Sequence, residues 1–259
     1  MYSLDYIKNL NFTITISLFL IIFLSKTLFI LTGFVLEDSF ILFRSAFNFA
    51  DYDVFSYNID ENYSATTSKI YGLICAFFRQ IFKEHAILSI IIFNSILSFF
   101  SSLLIFKSIQ NLFNLQKKIL SEKNIIFLII ILFLNPSILI IGIVGLEFSI
   151  LVFFISLVLL GVIKNNNLLI SFVLIVPLIR VELIGFVLIL SFFYLYFLRL
   201  KNFMITIFFG IFGLLLNLYL NNLFDNSFFP GTAISKWNAL ETSGDFSLER
   251  ILANLNYWF

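Results

Sequence analysis

Charged residues are scarce in this chain, and their scarcity excludes most classes of soluble protein. Only 12% of its 259 residues are Asp, Glu, Lys or Arg, against about 25% in a typical soluble domain. Hydrophobic residues make up 61%, and the mean hydropathy is +1.05. A water-soluble globule of this size needs more polar surface than this composition supplies. A soluble enzyme, a nucleic-acid-binding domain and a disordered protein are therefore excluded, and we expect a polytopic membrane protein.

Cysteine and histidine are almost absent as well. Cys75 is the single cysteine, which excludes an intrachain disulfide and a multi-cysteine metal cluster. His85 is the single histidine and follows Lys83 and Glu84 just before an apolar run, a position typical of a membrane interface. We therefore assign no metal ligands and no cofactor, and we leave a requirement for a divalent metal open.

Long apolar runs are what the sequence has in abundance. A helix needs about 20 apolar residues to cross roughly 30 Å of hydrocarbon. Five runs satisfy or nearly satisfy this length: 12–36, 86–106, 125–143, 147–163 and 203–220. A sixth stretch, 168–198, is too long for one crossing and is interrupted by a proline and two charges. We interpret it as a hairpin of 168–179 and 183–198 with a turn at Arg180–Glu182, which at membrane depth must be buried in protein or line a watery cavity.

These runs predict an all-α membrane protein with seven spans. If the N-terminus is inside, the cytoplasmic segments carry almost only basic residues and the outer segments carry most of the acids, as the positive-inside tendency expects. Residues 1–220 would form the transmembrane module of a multi-pass inner (plasma) membrane protein. Its first outer loop, 37–85, contains an amphipathic stretch at 69–83 that predicts a juxtamembrane helix on the membrane surface. The segment 221–259 would also lie outside.

Polar residues at five places on the predicted outer face are candidates for a functional site, because charges near the membrane are costly. Each place also has a simpler interpretation: a helix terminus, a loop, a span entrance, an ion pair or a turn. Adjacent carboxylates such as Glu37 and Asp38 can supply a general base. The five places are Glu37-Asp38, the polar loop from Asn48 to Ser68, Gly145-Leu146-Glu147, Arg180-Val181-Glu182, and the turn from Phe229 to Lys236. Their common side favours a site that faces the exterior.

The same five places resemble the motifs of GT-C membrane glycosyltransferases, in the arabinofuranosyltransferase and mannosyltransferase-like branch. The stretch from Glu37 to Asn48, continued by residues 57–61 and 66–71, is similar to that family's first outer loop. Gly145-Leu146-Glu147 is similar to its GLET box, Arg180-Val181-Glu182 to its RPE box, and the turn from Phe229 to Lys236 to its LPNTFYAK box.

The resemblance implies the transfer of a hexose or pentose from a polyprenyl-phosphate donor to an acceptor hydroxyl on the extracytoplasmic face. The acceptor would be a cell-envelope glycan, a lipid or a protein. Asp38, assisted by Glu37, would take the acceptor proton, and Arg180 or Lys236 would stabilise the departing phosphate, with Glu147 and Glu182 orienting these cations. The residues that would shape the sugar pocket are Arg44, Asn48, Asn58, Glu61 and Thr67.

Two other classes of function remain open from the sequence. A transporter or lipid flippase would line a pathway with polar groups at both faces or at mid-membrane, often with inverted repeats. The chain could also be a non-catalytic subunit or an inactive fragment, because members of the resembled family usually extend well beyond this length. We therefore expect the segment 221–259 to be truncated relative to that family.

Overall fold

The computed structural model describes residues 37–60, 66–115 and 145–228, together with the isolated helical residue Ile131. Within these residues every regular element is helical and no strand occurs. The predicted all-α class is therefore confirmed for this part of the chain. The predicted spans 12–36 and 125–143 lie outside the described residues, as does everything after Phe228.

Eight α-helices follow one another within the described residues. They are α1 (Glu37–Tyr52), α2 (Lys69–Phe82), α3 (Ala86–Leu115), α4 (Phe148–Lys164), α5 (Asn167–Ser171), α6 (Ile175–Ile179), α7 (Ile184–Tyr196) and α8 (Leu200–Asp225). Short 3-10 turns at Lys83–His85, Phe172–Leu174 and Val181–Leu183 connect α2 to α3, α5 to α6, and α6 to α7.

Helices α2 and α3 fold back on each other at the turn Lys83–His85. Lys83 takes a positive φ of 47° there, which ends α2 and redirects the chain. Tyr71 of α2 and Asn94 of α3 consequently share a hydrogen bond. The amphipathic helix predicted at 69–83 is confirmed, and its Phe77 and Ile81 are more than half exposed. Its location on a membrane surface stays a prediction.

Helices α3 and α4 pack against each other, and both bury serines. Ser98, Ser101 and Ser102 of α3 are buried, as is Ser156 of α4. Small side chains let helix backbones approach closely. Ser101 and Ser102 donate to carbonyls within α3, and Ser156 donates to a carbonyl within α4. The buried Ser98 hydroxyl has no hydrogen-bond partner among the described residues. Three of these four hydroxyls are therefore satisfied within their own helices.

The stretch 167–196 is a broken helical hairpin, as the sequence predicts. Arg180 is extended, with φ −141° and ψ 117°, and separates α6 from the turn that starts α7. Asn202 at the start of α8 bonds Asn165 just before α5, at 2.7 Å. The chain enters α8 from the end of α7 through a three-residue link. The beginning of α5 and the end of α7 thus lie at the same end of α8, with the Arg180 turn at the other.

Two helical stretches in the described part are long and apolar enough to cross a membrane: Lys69–Phe113, which includes the bend at Lys83–His85, and Leu200–Asp225. Both extend beyond the predicted spans 86–106 and 203–220. Three shorter apolar helices accompany them: Phe148–Lys164, Asn167–Ile179 and Val181–Tyr196. These helices support membrane association.

Candidate functional site

Glu37 and Asp38 form the first turn of α1. Both side chains are exposed, whereas Ser39 and Phe43 are buried. Carboxylates are favourable at this position because the unpaired N–H groups give the start of a helix a partial positive charge. The sequence placed these acids at the outer end of the predicted span 12–36, which lies outside the described residues; the structure places them at the start of α1. They remain accessible to a molecule that approaches this end of the bundle.

The Gly145 turn packs directly against the first two turns of α1. Gly145 has a φ of +76°, and a Cβ added there would lie 2.9 Å from Cζ of Phe43 and 3.2 Å from Oγ of Ser39. Only a glycine suits both the positive φ and the close approach. The first and third predicted motifs are therefore in contact.

Two buried side chains that the sequence analysis missed hold this turn in place. The Tyr71 hydroxyl donates to the carbonyl of Gly145 at 3.1 Å. The Asn94 amide donates to the Tyr71 hydroxyl at 2.7 Å and to the carbonyl of Leu146 at 3.5 Å. Tyr71 and Asn94 are both fully buried. An uncharged amide inside the apolar run 86–106 was the available signal, because such a group is costly to bury without a partner.

The third and fourth motifs meet through an ion pair. Nε of Arg180 lies 3.0 Å from Oε1 of Glu147 and 3.4 Å from Oε1 of Glu182. These are close ionic contacts without hydrogen-bond geometry at Nε. Glu147 is 2% exposed and Glu182 is 65% exposed. Glu147 therefore fixes Arg180 from inside the bundle, while Glu182 approaches it from the surface.

The Arg180 side chain is partly exposed in the described part of the chain. Its shortest ionic contacts to Glu147 and Glu182 are both at Nε, and the guanidinium carbon lies 5.4 Å from the centre of the Phe148 ring. The Arg180 side chain is 27% exposed. Its two terminal nitrogens make no hydrogen bond to the described residues, and guanidinium nitrogens bind phosphate oxygens well.

Three residues predicted to shape a sugar pocket come together where α1 contacts the following loop: Arg44 and Asn48 lie on α1, and Asn58 lies in the loop. Nη2 of Arg44 donates to Oδ1 of Asn58 at 3.3 Å, and the guanidinium lies over the ring of Tyr57 at 4.3 Å. The Asn48 amide donates to the carbonyls of Ser56 and Tyr57 at 2.9 and 3.1 Å. The contacts explain how the loop is anchored; the role in sugar binding stays a prediction.

The remaining predicted residues are less informative. Thr67 is half-buried in the turn that precedes α2. Arg44 lies seven residues after Glu37, which is two helical turns and roughly 10 Å further along the axis. Glu61 and Lys236 lie outside the described residues.

Lys69 corrects an expectation from the sequence. It begins the stretch 69–83 that the sequence predicts to lie on the membrane surface, but its side chain is 2% exposed and its Nζ lies 2.6 Å from Oδ2 of Asp225. Nζ also donates to the carbonyl of Thr66 at 3.0 Å. The partner carboxylate and the carbonyl make the burial possible, and neither can be identified from the local pattern around Lys69.

The described residues offer no cluster of three or more His, Cys, Asp or Glu side chains that could hold a metal ion. A cavity of about 710 Å³ lies at the far end of α1 from Glu37. Asp51 and Arg79, which form a salt bridge at 2.9 Å, are among its lining residues. The cavity is therefore separate from Glu37 and Asp38 and from the ion pair of Glu147 with Arg180.

No family model matches this chain, and no curated protein or solved structure matches it.

Proposed function

We propose that this chain is a multi-pass membrane glycosyltransferase that moves a sugar from a polyprenyl-phosphate donor to an acceptor hydroxyl on the extracytoplasmic face. One observation carries the proposal. Ser39 packs on Gly145, and Glu147 pairs with Arg180, so three motifs that are far apart in sequence gather at one end of the bundle. Polar motifs without a common role would not need to lie close together.

The proposed reaction is a single inverting displacement. The acceptor oxygen attacks the anomeric carbon of the donor, and the bond between that carbon and the phosphate oxygen breaks. Asp38, assisted by Glu37, takes the acceptor proton, and polyprenyl phosphate leaves with the electron pair. The exposure of both acids supports this role, because an acceptor must reach the base directly.

Arg180 is the residue proposed to bind the phosphate. Its Nε lies 3.0 Å from Glu147, its side chain is partly exposed, and its terminal nitrogens make no hydrogen bond to the described residues, an arrangement that suits charge-assisted hydrogen bonds to phosphate oxygens. Arg180 with Glu147 and Glu182 carries one net negative charge, which would oppose an anionic donor. A second cation is therefore part of the proposal, and Lys236 is the candidate.

The proposed membrane arrangement has seven spans, with the N-terminus in the cytoplasm and the site facing the periplasm or exterior. A lipid-linked donor suits it, since the polyprenyl tail stays in the bilayer while the sugar phosphate enters an outer cavity. The two long apolar helices support membrane insertion, and the charge distribution along the chain supports the orientation.

The test compares two site variants with a matched control in detergent, using a radiolabelled polyprenyl-phosphate sugar. Asp38→Asn should lower turnover roughly 10²–10⁴-fold, the usual value of general acid–base assistance, with little change in donor binding. Arg180→Met should instead weaken donor binding. Asp60→Asn, which alters an exposed acid in the loop, should change neither quantity.

If folded Asp38→Asn keeps full turnover, then Asp38 is not the base. Either Glu37 is the base, or the reaction does not use general base catalysis. Movement of the lipid across a bilayer without sugar transfer by the unsubstituted protein would favour a flippase. The absence of both activities would favour a non-catalytic role.

A further inference from the structure

Asn217 makes two hydrogen bonds to the end of the helix that precedes Arg180. It is buried in α8 at 2% exposure. Its amide nitrogen donates to the carbonyls of Pro177 and Leu178 at 3.1 and 2.7 Å. Carbonyls in the last turn of a helix have no N–H partner within that helix, and burying them unpaired is costly. Asn217 therefore supplies the hydrogen bonds that two carbonyls in the last turn of α6 would otherwise lack.

Asn221, one turn further along α8, fixes the orientation of the Asn217 amide. The Asn221 nitrogen donates to Oδ1 of Asn217 at 2.8 Å. With that oxygen engaged, the nitrogen of Asn217 points to the two carbonyls. Asn221 also donates to the carbonyl of Phe228 at 3.3 Å, the residue immediately before the fifth predicted motif. One pair of amides thus connects the Arg180 turn with the start of that motif.

Close packing leaves α8 little freedom relative to the hairpin. A Cβ on Gly213 would overlap the backbone of Leu174, and a Cβ on Gly210 would overlap the side chain of Val187. These contacts lie on both arms of the hairpin, one on each side of the Arg180 turn. The position of Asn217 is consequently set by backbone contacts rather than by its own flexible side chain.

We propose that Asn217, oriented by Asn221, is a positioning residue for Arg180. By holding the end of α6, it keeps Nε of Arg180 against Glu147 and the exposed part of the guanidinium in position for the phosphate of a lipid-linked donor. The geometric part stands on the hydrogen bonds alone. The phosphate part rests on the proposed function.

The first measurement follows the Arg180 turn without any need for activity. Val181→Cys, in a Cys75→Ser background, is labelled with a polar maleimide in detergent. Asn217→Leu keeps a similar volume but removes the donor, so two buried carbonyls lose their partner. In the Asn217→Leu variant the labelling rate of the cysteine at position 181 should rise about tenfold. The reason is that a decrease of about 1.4 kcal/mol in the free energy of local opening makes the open state ten times more populated. Asn217→Gln retains a donor and should label more slowly than Asn217→Leu.

Asn202→Leu is the matched control. Asn202 is a buried amide on the same helix, but it bonds Asn165 at the opposite end. This control should leave the labelling of Val181→Cys unchanged. If Asn217→Leu does not give folded protein, Asn217→Ser, which is too short to reach the carbonyls, replaces it and is judged in the same way.

The second measurement concerns the donor. The apparent KM of Asn217→Leu for the polyprenyl-phosphate sugar should rise about tenfold, with a smaller change in kcat. Unchanged labelling in folded Asn217→Leu, or equal acceleration by Asn202→Leu, overturns the positioning role whatever the transfer assay shows. Faster labelling with an unchanged KM overturns the phosphate part. If the unsubstituted protein transfers no sugar, the proposed function fails while the labelling still decides the positioning of the turn.

Discussion

The ion pair between Lys69 and Asp225 connects the start of α2 with the end of α8. Both side chains are almost fully buried, at 2% and 1% exposure, and Nζ and Oδ2 are 2.6 Å apart. Nζ also stands 5.8 Å from the centre of the Phe55 ring. Removing two charges from water costs several kcal/mol per ion, and their attraction roughly repays it. The loss of one partner is therefore much more harmful than the loss of both.

Lys69→Met should destabilise the folded protein by about 3–5 kcal/mol, because it removes the ammonium that lies 2.6 Å from the buried Asp225 carboxylate. The double variant Lys69→Met with Asp225→Leu should recover most of this loss. The measurement is the Tm in detergent of the two single variants, the double variant and the unsubstituted protein.

Arg79→Met is the control for this comparison, since Arg79 and Asp51 form an ion pair at 30% and 38% exposure. An exposed pair contributes at most about 1 kcal/mol. Equal losses for Lys69→Met and Arg79→Met, or a double variant as unstable as Lys69→Met, would contradict a stabilising buried pair.

Helix α8 is held against the broken hairpin by glycines on its buried face. Gly210 and Gly213 are buried along that helix, and neither has room for a Cβ. The obstacle at Gly213 is the backbone carbonyl of Leu174, which cannot rotate away as a side chain can. Gly185, near the start of α7, faces open space within 4 Å and gives a comparison within the same hairpin.

Gly213→Ala should lower stability by about 1–3 kcal/mol through overpacking, although alanine's better helix propensity offsets part of this. Gly185→Ala should be neutral or stabilising by up to about 1 kcal/mol. Thermal unfolding followed by far-UV circular dichroism measures both. A fully stable Gly213→Ala would mean that α8 and the turn Phe172–Leu174 are further apart than described.

Polar groups from five segments gather at one end of the described helices. The start of α1 touches the Gly145 turn, the residue before α4 pairs with Arg180, and the start of α2 pairs with the end of α8. In the proposed orientation this end faces the exterior. The apolar remainder of the helices would then lie in the bilayer, where backbone groups must be satisfied internally.

Single cysteines in a Cys75→Ser background test that orientation. Cysteines at Asp60 and Ser243 should react with a membrane-impermeant thiol reagent in intact cells, and a cysteine at Ser121 should react only after permeabilisation. Each position is expected to label in detergent, which confirms that the thiol is accessible. Labelling of Ser121 from outside, together with silence at the other two positions, would reverse the topology.

The sequence by itself determined the helical class, the break at Arg180 and the order of the five polar motifs. These properties are local, because the length of an apolar run and its interruptions by proline or charge depend on neighbouring residues. It also indicated that Arg180 would take part in an ion pair, since an isolated charge at that depth is too costly.

Only the tertiary structure decided which polar groups meet. Three of the buried polar residues are uncharged and lie in helices that are otherwise largely apolar: Tyr71, Asn94 and Asn217. Charged residues in apolar runs therefore indicate a site from the sequence, whereas these three do not. Lys69 lies at a position that the local sequence pattern assigns to the surface. It is nevertheless buried, because its ammonium pairs with Asp225 and donates a hydrogen bond to the Thr66 carbonyl. A hydrogen bond or ion pair depends on distances of about 3 Å between distant parts of the chain, and the packing of the helices sets those distances.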